Sequence, residues 1–272
     1  MKPKIYSADP TTTIPNQYGF PLNLPCKGFK ERGDNISICF DTFEYDPKSK
    51  FKVLVQLEPP AVRNIVQQVI DRQNEFDLIL AWHPDILRNC SNAKILNFIG
   101  CWIDEDTFKS DKQDEVSFLL TSKTMTPGHR FRQDVYNVLK DYKGFNEFTF
   151  NCVRTPPYIT SKQVMFENAK FAIVIENDFM DNLMSEKLID CFVTNTIPIY
   201  CGCTNVHEFF DSKGIIPFKS VNELTAILNS LTPEDYSKRE EAMRNNYELS
   251  EKHRNLFSSI DLQIDTLENN EF

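Results

Sequence analysis

A chain of 272 residues with 41% hydrophobic and 25% charged residues is long for one domain and sufficient for two of ordinary size. Its formal net charge of −9, with no basic stripe, excludes a general nucleic-acid grip, which must neutralise many phosphates. With eight glycines and neither a Walker A loop nor a G-x-G-x-x-G turn it lacks a glycine-built phosphate cradle, and no run approaches the ~20 apolar residues of a membrane span.

The first residues enter a strand-like run at Ile5-Tyr6 with no signal-peptide apolar region, so a cytoplasmic location is expected and the sequons at Asn35 and Asn89 are expected to be idle. Residues 1–50 are loop-rich, punctuated by Pro10, Pro15, Pro21, Pro25 and Pro47, with one strand over 37–40. Residues 52–57 predict a buried strand that stops at Glu58-Pro59-Pro60. Ile65, Val66, Val69 and Ile70 recur at helical spacing within 63–74; strands follow at 76–82 and within 93–99. Residues 104–115 are charged and aperiodic, which places a domain boundary there and divides the chain into 1–110 and 116–272.

A second series opens with a strand at 117–121, a helix over 132–142 and a strand marked by Phe148 and Phe150. A polar segment at 161–170 leads into the apolar run 171–175, followed by a polar loop, a helix carrying Leu188, Ile189, Phe192 and Val193, and a strand at 197–200 closed by Gly202. A helix is predicted over 221–231. Thr232-Pro233-Glu234-Asp235, with a cap and a first-turn proline, starts another that runs to about Phe257. Strands alternating with helices imply α/β domains with parallel sheets.

The eight cysteines (26, 39, 90, 101, 152, 191, 201 and 203) form no C-x-x-C pair, and the four histidines form no metal-binding helix pair, so no metal is expected. Cys39 and Cys191 lie in apolar runs, where a reduced thiol acts as a small hydrophobe; a reducing compartment is expected, with an oxidised pair left open.

Residues 171–202 have the length of one βαβ unit, whose ligands sit beyond the carboxyl ends of the strands at helix N-termini. Asn177, Glu186 and Lys187 fall at that end. Read alone, Glu186-Lys187 is an exposed charged pair in a first turn, Asn177 an Asx turn, and Asp190 a solvated or capping charge. Arg132, with Arg130 and His129 nearby, lies where a polar loop enters a helix; a cation is not favoured there locally, which points to an anionic partner. Glu58 is either a solvated strand-end carboxylate or, backed by Val55 and Leu57, a general base.

The same residues resemble the donor-binding motif of the α-1,3-fucosyltransferases, glycosyltransferase family 10. The resemblance rests on Glu176-Asn177, Ser185-Glu186-Lys187-Leu188, and Thr196-Ile197-Pro198-Ile199-Tyr200 with Gly202. Leu57-Glu58-Pro59-Pro60 matches the segment that supplies that family's catalytic base, and Arg132 through Leu139 fits the spacing of its diphosphate-binding arginine. The resemblance implies a GT-B-like fold of two Rossmann-like domains facing a cleft. It further implies inverting, metal-independent sugar transfer from a nucleotide sugar, GDP-fucose foremost, to a glycan acceptor, with no cofactor. Glu58 is then the catalytic base. Arg132, Asn177, Ser185, Glu186 and Lys187 hold the donor, with Arg130, His129, Glu176 and Leu183 as further candidates. No Asp-x-Asp metal motif appears, since Asp104-Glu105-Asp106 falls in the presumed linker. Leu183 stands where bacterial members often have a tyrosine near the nucleotide. That departure keeps open a different donor, such as a UDP-pentose like UDP-xylose. A catalytically inactive GT-B protein that binds carbohydrate or nucleotide is the alternative of another class.

Overall fold

The computed structural model describes residues 4–7, 35–96, 100–103, 108–145, 147–155, 162–251 and 253–268. The chain forms two units, one of residues 1–100 with 181–183 and 252–272, the other of 101–180 with 184–251. Cys26 and the prolines at 10, 15, 21 and 25 lie outside the described residues, as do Asp104-Glu105-Asp106.

The first unit holds β1 (Lys4–Ser7), β2 (Ile36–Phe40), β3 (Phe51–Val55), α1 (Val66–Asp71), β4 (Leu78–Ala81), α2 (Pro84–Asn89) and β5 (Ala93–Ile95). Its five strands are all parallel and lie in sequence order. Successive side chains leave opposite faces of a strand, and here both faces are covered, so the strands read as continuous apolar runs. Ile38, Phe40, Val53, Val55 and Leu80 point into one core. Cys39, Leu54, Ile79 and Ala81 point into the other, where Val69 of α1 and Ile86 of α2 cover them.

The second unit holds β6 (Gln113–Thr121), α3 (Pro127–Leu139), β7 (Thr149–Thr155), α4 (Gln163–Phe166), β8 (Ala169–Ile175), α5 (Glu186–Val193), β9 (Ile197–Cys201), β10 (Ile216–Pro217), α6 (Val221–Ser230), α7 (Pro233–Ser237) and α8 (Glu240–Glu251). Its sheet is parallel in the order β10-β9-β8-β6-β7. The chain leaves β6 for β7 on one side and returns to β8 on the other, so the order reverses between β6 and β8. In an open α/β sheet that reversal leaves a crevice at the strand carboxyl ends, the habitual place for a ligand. Helix α3 follows β6 and α5 follows β8, so both helix N-termini open onto it.

Several expectations are corrected. Helix α3 begins at Pro127 rather than at 132, because Thr126-Pro127 is already a complete start: Thr126 Oγ1 accepts the His129 N–H at 3.1 Å and Pro127 occupies the first turn. Strand β6 starts at Gln113 inside the segment read as aperiodic, because Asp114 and Glu115 take polar partners, an ion pair to Lys170 and a hydrogen bond from Asn151. The single helix expected over 233–257 is two, α7 and α8, and a further helix, α9 (Leu256–Glu268), begins where it was expected to end. Asn255 starts the last of them, its Oδ1 accepting the Ser258 N–H at 3.0 Å. Helix α9 belongs to the first unit, not to the second domain expected over 116–272. Its stripe of Leu256, Phe257, Ile260 and Ile264 packs into the core with Phe40, whose ring meets Phe257 edge-on at 5.7 Å. Among the described residues no helix is long and apolar enough to cross a membrane.

Candidate functional site

Arg132 reaches from the second turn of α3 across the carboxyl end of β8. It is 4% exposed. Its Nε donates to the Ile175 carbonyl at 2.9 Å, and Nη2 donates to that same carbonyl and to Asn177 Oδ1 at 3.0 Å. A guanidinium does not give up its proton, even though burial pulls its pKa below the ordinary value and only the more distant Glu176 and Glu186 support it. Among the described residues no carboxylate forms an ion pair with it. A buried cation held only by neutral oxygens is costly unless an anion completes its shell.

The close approach of α3 to β8 depends on Gly128. Its N–H donates to the Asn177 carbonyl at 3.0 Å, and a Cβ there would stand 1.7 Å from the Glu176 carbonyl oxygen. Next to it, His129 pairs its Nδ1 with Thr126 Oγ1 at 2.9 Å. Burial, and then Arg132, Lys123, Lys187 and Arg130, push its pKa down to about 4, so the imidazole is neutral at pH 7 and reports a positive local field. Arg130 is exposed and donates to the carbonyls of Thr124 and Met125 at 3.2 and 3.3 Å, which fixes the loop before α3.

The second part of the site is the start of α5. Ser185 is its N-cap, with Oγ accepting from the Lys187 N–H. Glu176 lies buried beneath it. One Glu176 oxygen accepts the Ser185 N–H at 3.1 Å, and the other accepts the Ser185 hydroxyl at 2.6 Å and stands 3.6 Å from Lys187 Nζ. Gly202 makes room for this carboxylate, since a Cβ there would meet Glu176 Cγ at 2.4 Å and Tyr200 Oη at 2.5 Å. The last residues of the sequence motif therefore shape the turn that carries Ser185 and Lys187.

Glu186 and Lys187 are not the exposed pair that local reading gives. Lys187 Nζ donates to Ser185 Oγ at 2.9 Å and to Glu186 Oε1 at 3.2 Å; Lys162 Nζ donates to the same Glu186 oxygen at 2.7 Å. Burial works against the charge on Glu186, but Lys162 and Lys187 outweigh it and hold the carboxyl well below the usual range. Asp190, read as solvated or capping, is fully buried and accepts the Trp102 N–H at 2.7 Å. Arg132, Lys162 and Lys187, with Ser117, Thr121 and Ile175, line a pocket of about 50 Å³. The geometry thus brings Arg132, Asn177, Ser185, Glu186 and Lys187 together at the crevice, and adds Lys162, for which the sequence offered no motif.

Glu58 belongs to the first unit, just beyond β3, and is half-buried. Its backbone is tightly held. Asp41 accepts the Leu57 N–H at 2.9 Å on one oxygen and the Glu58 N–H at 3.0 Å on the other, and the Leu57 carbonyl accepts the Trp82 indole N–H at 3.1 Å. Asp41 adopts φ of 51°, a left-handed conformation that aspartate tolerates better than most residues. Burial pushes its carboxyl up to about 7, although the two N–H groups pull the other way. A polar residue directly after an apolar strand is the sequence signal that marks Asp41. Leu183 is buried. Cys39, Cys90, Cys101, Cys152, Cys191, Cys201 and Cys203 are not joined in disulfides, and among the described residues no group of acids, histidines or cysteines has the makings of a metal site.

The sequence matches no protein-family model and no curated protein. The structure does match solved ones. An α1,3-fucosyltransferase with GDP-fucose shares 14% identity at a TM-score of 0.52, with 90% of this chain and 83% of that chain covered. An α1,3-fucosyltransferase with GDP gives 14% identity and 0.55, with coverage of 97% and 89%. TarM gives 15% identity and 0.56, and this chain covers 54% of its length. Likeness at such identities shows the fold, which is that of GT-B glycosyltransferases.

Proposed function

We propose that this chain is an inverting glycosyltransferase that takes a sugar from a nucleoside diphosphate, GDP-fucose first among donors, and transfers it to a hydroxyl of a glycan acceptor. The observation that carries the reading is Arg132, a buried guanidinium with no carboxylate partner among the described residues, beside Lys187 at the topological switch point. A diphosphate supplies the missing anion. The N-terminus of α5 adds a favourable dipole for it.

In this reading the reaction is a single displacement. Glu58 takes the proton of the acceptor hydroxyl as that oxygen attacks the anomeric carbon, while the bond from that carbon to the diphosphate oxygen breaks. Arg132 and Lys187 stabilise the charge that grows on the leaving diphosphate, a role that in other enzymes falls to a divalent cation. Asn177 orients Arg132 through Oδ1, and Glu186 accepts from donor hydroxyls. Glu176 and Ser185 hold Lys187 in place, and His129, bonded to Thr126, stays neutral in the field of the cations.

A transfer assay in EDTA with a panel of nucleotide sugars, GDP-fucose and UDP-xylose included, tests the function. Turnover with one donor, undiminished by the chelator, is expected. Activity that vanished in EDTA and returned with Mn²⁺ would contradict the metal-independent mechanism. The panel also settles the donor, because Leu183 is buried and offers no aromatic ring to a base.

A further inference from the structure

Lys162 lies in a segment that no motif marked, yet its ammonium is clamped from three sides. It donates to Glu186 Oε1 at 2.7 Å and Asp190 Oδ2 at 3.5 Å, and it stands 4.3 Å from the centroid of the Trp102 ring. Asp190 in turn accepts the Trp102 backbone N–H at 2.7 Å and the Cys101 thiol at 3.5 Å on its other oxygen. Glu186 and Asp190 are one helical turn apart on α5, so a single cation binds both. Glu186 is the nearer partner. Lys187 also donates to Glu186 Oε1, at 3.2 Å. Both ammonium groups therefore crowd onto one oxygen, and among the described residues Oε2 has no hydrogen-bond partner.

We propose that Lys162 is a positioning residue for Glu186, keeping that carboxylate ionised and turned so that Oε2 accepts from a vicinal diol of the bound donor. The diol belongs either to the ribose or to the transferred sugar. This inference rests on reading the pocket as a nucleotide-sugar site. When a diphosphate draws Lys187 away, Glu186 loses one of its two cations, and a buried carboxylate stripped of partners is strongly disfavoured. Lys162, anchored independently by Asp190 and Trp102, stays and sustains the charge. A neutral Glu186 would become a donor with one acceptor fewer, and would no longer favour the diol.

Calorimetry on the wild-type chain, Lys162→Met, Glu186→Gln and the double variant tests this, with GDP against 2′-deoxy-GDP as the ribose arm and GDP-fucose against GDP as the sugar arm. The corresponding uridine nucleotides and UDP-xylose are run in parallel. In one arm the wild type is expected to favour the diol-bearing ligand by about tenfold, the worth of a charge-assisted hydrogen bond. Both single variants should lose that preference while still binding the ligand that lacks the diol, and the double variant should lose no more than either. Lys162→Arg should restore it. Lys162→Met leaves Asp190 buried without its cation, so Lys162→Met with Asp190→Asn is the companion variant if the single one melts early, and the same pattern is expected of it. A Lys162→Met protein that kept the preference, or that weakened all ligands equally, would overturn the inference. A wild-type chain that bound none of these diphosphates would instead overturn the donor-site reading, and this inference with it.

Discussion

Glu58→Gln is expected to lower kcat by ~10²–10⁴ with donor affinity unchanged, the usual cost of removing a general base. The substitution is nearly isosteric and exchanges the carboxylate, with its charge and its capacity to take a proton, for a neutral amide. The backbone at this position is set by other residues: Asp41 accepts the N–H groups of both Leu57 and Glu58, Trp82 donates to the Leu57 carbonyl, and Pro59-Pro60 follow. The geometry should therefore survive the change. Kinetics with saturating donor, together with the melting temperature of the variant, would show it. Turnover near that of the wild type in a folded variant would remove Glu58 from its assigned role.

Gly128→Ala should damage both stability and the site. The added methyl would lie 1.7 Å from the Glu176 carbonyl oxygen and 2.9 Å from the Asn177 carbonyl carbon, all of it backbone with nowhere to swing. The start of α3 must back away from β8, at an overpacking cost of about 3 kcal/mol. For a chain of this size that lowers Tm by roughly 5 °C. The same shift withdraws Arg132 from the Ile175 carbonyl and Asn177, so nucleotide affinity should fall as well. Gly144→Ala is the control, because its methyl would meet the ends of the Asn229 and Tyr142 side chains, which can move. Thermal melts that placed Gly128→Ala level with Gly144→Ala would contradict the close packing on which the site is built.

What the sequence made legible follows from the range of the interactions. Strands β3, β4, β8 and β9 stand out as apolar runs because both faces of a parallel sheet are covered, and that property is local. The turn from Glu176 to Lys187 was legible as a motif because its partners, Glu176, Ser185 and Lys187, lie within one loop and helix start. Arg132 was recognisable by spacing, but not its contacts, which lie 43 and 45 residues away at Ile175 and Asn177. Lys162 is not legible in the sequence, since it meets Glu186 and Asp190 across 24 and 28 residues and carries no pattern of its own. The same distance effect hid the return of α9 to the first core: Phe257 is a generic apolar position until it is seen against Phe40. The burial of Asp190 is hidden for a related reason: a carboxylate on a short helix looks solvated unless its buried partners are known.

The most direct test of the donor site is isothermal titration calorimetry of GDP and UDP into the wild-type chain, Arg132→Ala and Lys187→Ala. Each cation contributes a charge-assisted contact of about 1.5–3 kcal/mol to a diphosphate, so each variant should bind the preferred nucleotide at least about tenfold more weakly. Wild-type affinity retained in both folded variants would contradict the assignment of this crevice to the diphosphate of a sugar donor.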